Sequence, residues 1–168
     1  MVADTAGMDR RQRAMDIALA GSALVALLIG VSIYVLDRDW ASTLFLAPFS
    51  AWQLEGTGTF GPLGYLLPSF LHAYAFALLI GVALRPMRNA ATAGALGWFA
   101  IAATFEFMQA ESFHGLALDT NGYTPGWLLI DSVQAYVVHG CFDAGDLWAT
   151  ASGCFTACVI ATLSEIQR

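Results

Sequence analysis

The chain has 168 residues, 58% of them hydrophobic and only 12% charged, with a mean hydropathy of +0.63, whereas soluble domains carry charge on about a quarter of their positions. That composition excludes a soluble globular protein, and it excludes disorder, which needs low hydrophobicity and high charge. Seven Arg, no Lys and thirteen acids leave a net charge of −6, which is no footprint for nucleic acid, so a single membrane domain over residues 1–168 remains.

A hydrocarbon core of about 30 Å is crossed by roughly 20 mostly apolar residues in a helix. The first such window, Ile17 to Leu36, holds no charge; Arg10, Arg11 and Arg13 precede it and Asp37, Arg38 and Asp39 follow. It exceeds the 7 to 15 or so residues of a signal-peptide core and no small-residue cleavage site follows, so it reads as a retained first helix. The connection over 37–62 carries Trp40, Phe45, Phe49, Trp52 and Phe60 among Gly56, Gly58, Gly61 and Pro62. Aromatic side chains at this density suit the headgroup region, and Leu44 to Trp52 is expected to lie there as a short interfacial helix.

The second window, Leu63 to Leu84, holds Pro68 and His72; the third, Ala90 to Gln109, holds Glu106. A second long connection, 110–145, carries Tyr123, Trp127 and Tyr136. The fourth window, Asp146 to Leu163, repeats Ala149, Gly153, Ala157 and Ala161 every four residues. Small residues at that interval let helix backbones approach closely in lipid, although a merely Ala-rich helix gives the same pattern. The expected fold is therefore an all-α membrane protein, a four-transmembrane-helix bundle with aromatic-rich outer loops and interfacial helices or hairpins.

Lys and Arg accumulate on the cytoplasmic side. In this topology Arg10, Arg11, Arg13, Arg85, Arg88 and Arg168 share one side and only Arg38 falls on the other. Both termini are accordingly expected in the cytoplasm, with the long connections outside.

Ionisable groups within a membrane span are costly and are functional candidates by default. His72 lies nine residues from the outer end of its helix, about 13 Å deep at about 1.5 Å per residue. Glu106 and Gln109 close the third helix, and Asp143 and Asp146 open the fourth, at the same outer side. Each pair is spaced i, i+3 and so shares a helix face. His72, Glu106, Gln109, Asp143 and Asp146 are the candidate site residues, with the acids suited to proton transfer and His72 to relaying it. The structural alternative is plain: Asp143 and Asp146 at a helix N-terminus can cap it, and Glu106 with His72 can hold the bundle by a hydrogen bond.

These residues resemble the VanZ-like family of small bacterial membrane proteins over roughly 63–160: the stretch LPSFLHAYAFALL with His72, then FEFMQ with Glu106 and Gln109, then FDAGDLWATASG with Asp143 and Asp146. Thr150 stands where the family usually has Asn, Gly153 fits, and His139, Gly140 and Cys141 occupy the place of a usual Arg; residues 111–140 look like an insertion. The resemblance implies a bacterial inner (cytoplasmic) membrane protein of the cell envelope, similar to accessory proteins of teicoplanin-type glycopeptide resistance.

Two functions follow as expectations. In one, the outer polar cluster binds or acts on a membrane lipid or a lipid-linked envelope intermediate. In the other, the protein is a non-catalytic accessory subunit, offering small-residue helix faces and aromatic loops to membrane-protein partners. The acidic outer side disfavours a phosphate unless a divalent metal intervenes, for which Asp143, Asp146 and Glu106 would be the hard oxygen ligands. No cofactor is expected: His72, His114 and His139 are not arranged for haem, the glycines around Gly61 lack the strand and helix of a phosphate loop, and Cys141, Cys154 and Cys158 are odd in number. Transport would require polar groups in the inner halves of helices two to four, which offer only Ser, Thr and backbone.

Overall fold

A computed structural model describes residues 3–37, 39–40, 47–53, 58, 60–85, 87–110 and 141–166. The expectations placed on Leu44, Phe45, Gly56, Tyr123, Trp127 and Tyr136, on Arg38 and Arg168, on His114, His139 and Gly140, and on the insertion over 111–140 lie outside the described residues. Among those described, every regular element is helical: α1 (Ala3–Asp37), a 3₁₀ helix (Ala47–Trp52), α2 (Pro62–Ala83), α3 (Ala90–Met108) and α4 (Ala144–Ile166). Each of the four α-helices contains a stretch long and apolar enough to cross a membrane, and the chain is a multi-pass membrane protein.

The boundaries follow from local chemistry. Gly61 precedes α2 with φ 53° and ψ −136°, a conformation that a Cβ would strain. Pro62 then takes the first helical position, where its missing N–H costs nothing. Asn89 ends the α2–α3 turn in the left-handed region at φ 64°, which Asn tolerates better than most residues. The first helix begins well before Ile17, because residues 3–16 contain no Pro and are rich in Ala, Met, Arg and Gln, which favour helix. The apolar window marks where a bilayer is crossed, not where the helix starts.

Helix α2 packs against each of the other three, and α3 also meets α4. Contacts at both ends show that α1 and α3 run one way and α2 and α4 the other. Asp37 meets the start of α2 and Arg85 meets Asp16, while Glu106 meets Asp143 and Arg85 reaches Ser164. The start of α1 and the end of α4 therefore lie at one end, the terminal end, and the described residues that flank the long connections at the other, the loop end.

Lipid offers helices no hydrophobic drive to associate, so contact rests on close backbone approach. The buried core is accordingly built mostly from small residues, among them Ala23, Ala73, Ala77, Ala95, Ala157 and Ala161. A Cβ at Gly153 would collide with the Phe70 carbonyl, and one at Gly94 would come within 2.6 Å of the Gly81 nitrogen. The small-residue face of α4 is thus consumed inside the chain against α2.

The polar groups within the spans are largely turned inward or onto their own helices. Ser32, Thr104 and Thr156 donate to carbonyls four residues back, at 2.7, 2.7 and 2.8 Å, as backbone-rich helices in lipid allow. At the terminal end Arg85 pairs with Asp16 and donates to Ser164 Oγ at 3.5 Å, tying α1 and α4 to the end of α2. Large apolar side chains such as Leu24, Leu28, Trp148 and Phe155 face outward.

Candidate functional site

The loop end brings together residues from the last turn of α3, the first turn of α4 and the second turn of α2. Glu106 is buried, and its Oε1 accepts the backbone N–H of Asp143 at 2.7 Å. Stacking of Phe107 on Phe142, with ring centroids 5.8 Å apart, lays the segment before α4 against α3 and so presents that N–H. Asp143, itself exposed, turns Oδ1 onto the N–H of Gly145 at 2.7 Å. This is an Asp cap on its own helix, supplemented by a carboxyl from the neighbouring one. The structural alternative weighed for Asp143 is therefore part of what it does.

Asp146, one turn into α4, accepts the hydroxyl of Ser69 at 2.8 Å. Asp143 and Asp146 both lie within electrostatic reach of Glu106. Gln109 is buried at the end of α3, its backbone N–H donating to the Glu106 carbonyl at 3.1 Å. Four of the five candidate residues thus share the loop end, as their spacing predicts.

His72 stands apart. Its Nδ1 bonds the Pro68 carbonyl at 2.7 Å, its Cε1 lies 3.3 Å from where a Gly30 Cβ would sit, and its ring meets Tyr34 edge-on at 6.5 Å. It serves the α1–α2 contact, and no hydrogen bond joins it to Glu106. Ser69, one turn earlier, bonds Asp146 of α4, while His72 contacts α1.

Two residues were not singled out in the sequence. Ser69 reads there as an ordinary hydroxyl in a span; its place one residue after Pro68 is the only signal. Asp37 reads as a flanking charge, yet it is 7% exposed, its Oδ1 accepts the Phe60 N–H at 3.0 Å, and its Oδ2 packs on Gly64. It does at the start of α2 what Glu106 does at the start of α4.

Beside the Ser69–Asp146 bond an open groove of about 350 Å³ runs between α2 and α4, walled by Leu66, Leu67 and Phe70 on one side and Gly145, Trp148 and Ala149 on the other, with Ser152 at its far end. Among the described residues no three His, Cys, Asp or Glu side chains are disposed to hold a metal ion. The three carboxyls instead accept hydrogen bonds from the protein's own N–H and O–H groups. Comparison with family models, curated proteins and solved structures finds no match to the chain.

Proposed function

We propose that this protein binds a lipid, or a lipid-linked envelope intermediate, from the outer leaflet of a bacterial cytoplasmic membrane, with the hydrocarbon in the α2–α4 groove and the polar part over the carboxyl cluster. The observation that carries this reading is the continuity of groove and cluster. Gly145 lines the groove and bonds Asp143; the next residue, Asp146, bonds Ser69, which lies between the groove residues Leu67 and Phe70. An apolar trough that ends in polar groups fits an amphiphile.

The orientation rests on charge. The described arginines Arg10, Arg11, Arg13, Arg85 and Arg88 all belong to the terminal end, which by the preference of Arg for the cytoplasmic side turns the loop end outward. The resemblance to VanZ-like proteins supports an envelope role. That Glu106 and Asp143 are engaged with backbone N–H groups favours binding over acid–base catalysis.

Purification in mild detergent followed by mass spectrometry of what co-purifies tests the reading. The expected result is a lipid retained through washing. Membrane-protein partners in fixed ratio with no retained lipid would overturn it in favour of an accessory subunit presenting loop-end aromatics such as Phe49 and Trp52.

A further inference from the structure

Resting on the lipid-binding reading above, we infer that the α2–α4 groove selects lipids whose headgroup carries a primary ammonium and discriminates against purely anionic lipids. The groove fixes where a headgroup must sit. Its α4 wall runs from Gly145 to Ser152, seven steps or about 10 Å at the helical rise, which is the outermost third of a hydrocarbon core of about 30 Å. Its 350 Å³ stands at the low end of ligand pockets, about 300 to 1,000 Å³, so it takes part of one chain and not a whole lipid. A chain lying there leaves its headgroup at the first turn of α4, beside Asp143 and Asp146.

Among the described residues the ionisable groups at that end are acids. The described loop end carries Asp37, Asp39, Glu106, Asp143 and Asp146, while the described arginines are at the other end. Phosphate is ordinarily held by Arg, Lys or the open N-terminus of a helix. Part of that donor capacity is already used by carboxyls: Asp37 takes the Phe60 N–H ahead of α2, and at the start of α4 Glu106 takes the N–H of Asp143 and Asp143 that of Gly145. An anionic headgroup meets no described cation there, and at the start of α4 it meets the carboxylate of Asp143. An ammonium meets the exposed carboxylate of Asp143.

The test is competitive retention by the full chain of phosphatidylethanolamine and phosphatidylglycerol with identical acyl chains, read by native mass spectrometry at low salt. The wild type is expected to keep the amine lipid by about two- to fivefold, the scale of one exposed ion pair, and to lose that preference as salt is raised. Asp143→Asn keeps the cap, because Asn retains the accepting oxygen, and is expected to bring the two lipids to parity by lowering retention of the amine lipid. Ser152→Phe, or Ser152→Leu should the larger side chain impair folding, fills the exposed end of the groove and is expected to lower retention of both lipids together. Equal retention by the wild type, or a preference for the anionic lipid, overturns the headgroup selection and leaves lipid binding intact. Retention of both lipids unchanged by filling the groove overturns the lipid-binding reading itself.

Discussion

Glu106 separates a structural carboxyl from a chemical one. Truncation to Ala removes the acceptor for the Asp143 N–H, 2.7 Å away, and leaves that donor against the end of α3 without its partner. Losing a part-buried hydrogen bond costs about 0.5–1.5 kcal/mol, and the loss falls on the start of α4. Glu106→Gln keeps an oxygen in the same place and removes a group that lies near two other acids, Asp143 and Asp146, so it is expected within about 0.5 kcal/mol of the wild type. Unfolding by SDS titration in mixed micelles gives the two free energies, and hydrogen exchange over residues 143–147 locates the change. Equal losses for Gln and Ala would refute the capping role, because the accepting oxygen would then count for nothing. So would an Ala variant as stable as the wild type. A Gln variant that folds normally but retains no lipid would show a demand for the carboxyl itself, beyond the cap.

Two further predictions bear on packing and orientation. A Cβ at Gly153 would fall on the Phe70 carbonyl and within 3.1 Å of the Ala73 Cβ, whereas one at Gly97 meets nothing within 4 Å. Gly153→Ala is therefore expected to cost about 1–3 kcal/mol by overpacking, and Gly97→Ala to be neutral or to gain up to about 1 kcal/mol of helix propensity, both read in the same SDS titration. Cys141 is exposed at the loop end, while Cys154 is buried in α4; in a variant with Cys154→Ala and Cys158→Ala, a membrane-impermeant maleimide is expected to label Cys141 from outside intact cells. Labelling only in inverted vesicles would reverse the orientation.

The spans were legible because their signal is thermodynamic and one-dimensional: a run of apolar residues long enough for the bilayer sets α2, α3 and α4 to within one to three residues of the expected windows. The long start of α1 was not, since residues 3–16 are polar and only their lack of breakers permits helix. At Ala47–Trp52 the structure holds one 3₁₀ helix, within the longer interfacial helix expected from Leu44. The site was legible in depth but not in azimuth. Counting residues places Glu106, Gln109, Asp143 and Asp146 at one end, yet nothing in the count says which face of α2 meets α1 and which meets α4. In the packed bundle Ser69 contacts Asp146 of α4 and His72 contacts Tyr34 of α1, a division the residue count does not give. Asp37 escaped notice for a related reason: its partner, the N–H of Phe60, lies across a connection of over twenty residues, and only the packed hairpin brings them together.

The two hairpins, α1–α2 and α3–α4, share one device. A carboxyl from the last turn of the helix running toward the loop end accepts a backbone N–H just ahead of the helix running back, Asp37 for Phe60 and Glu106 for Asp143. The devices differ in what surrounds them. Asp37 packs on Gly64, where a Cβ would collide with it, and is 7% exposed; that joint is closed. At Glu106 the capped residue is itself an exposed acid, and the next helical turn opens into the α2–α4 groove. At the terminal end the described contacts are close ones. Gly81 and Gly94 bring α2 and α3 into backbone contact, and Arg85 is held by Asp16 and Ser164. Among the described residues the start of α4 combines an exposed carboxylate with an adjoining apolar groove, and on that combination the proposed binding of an amphiphile rests.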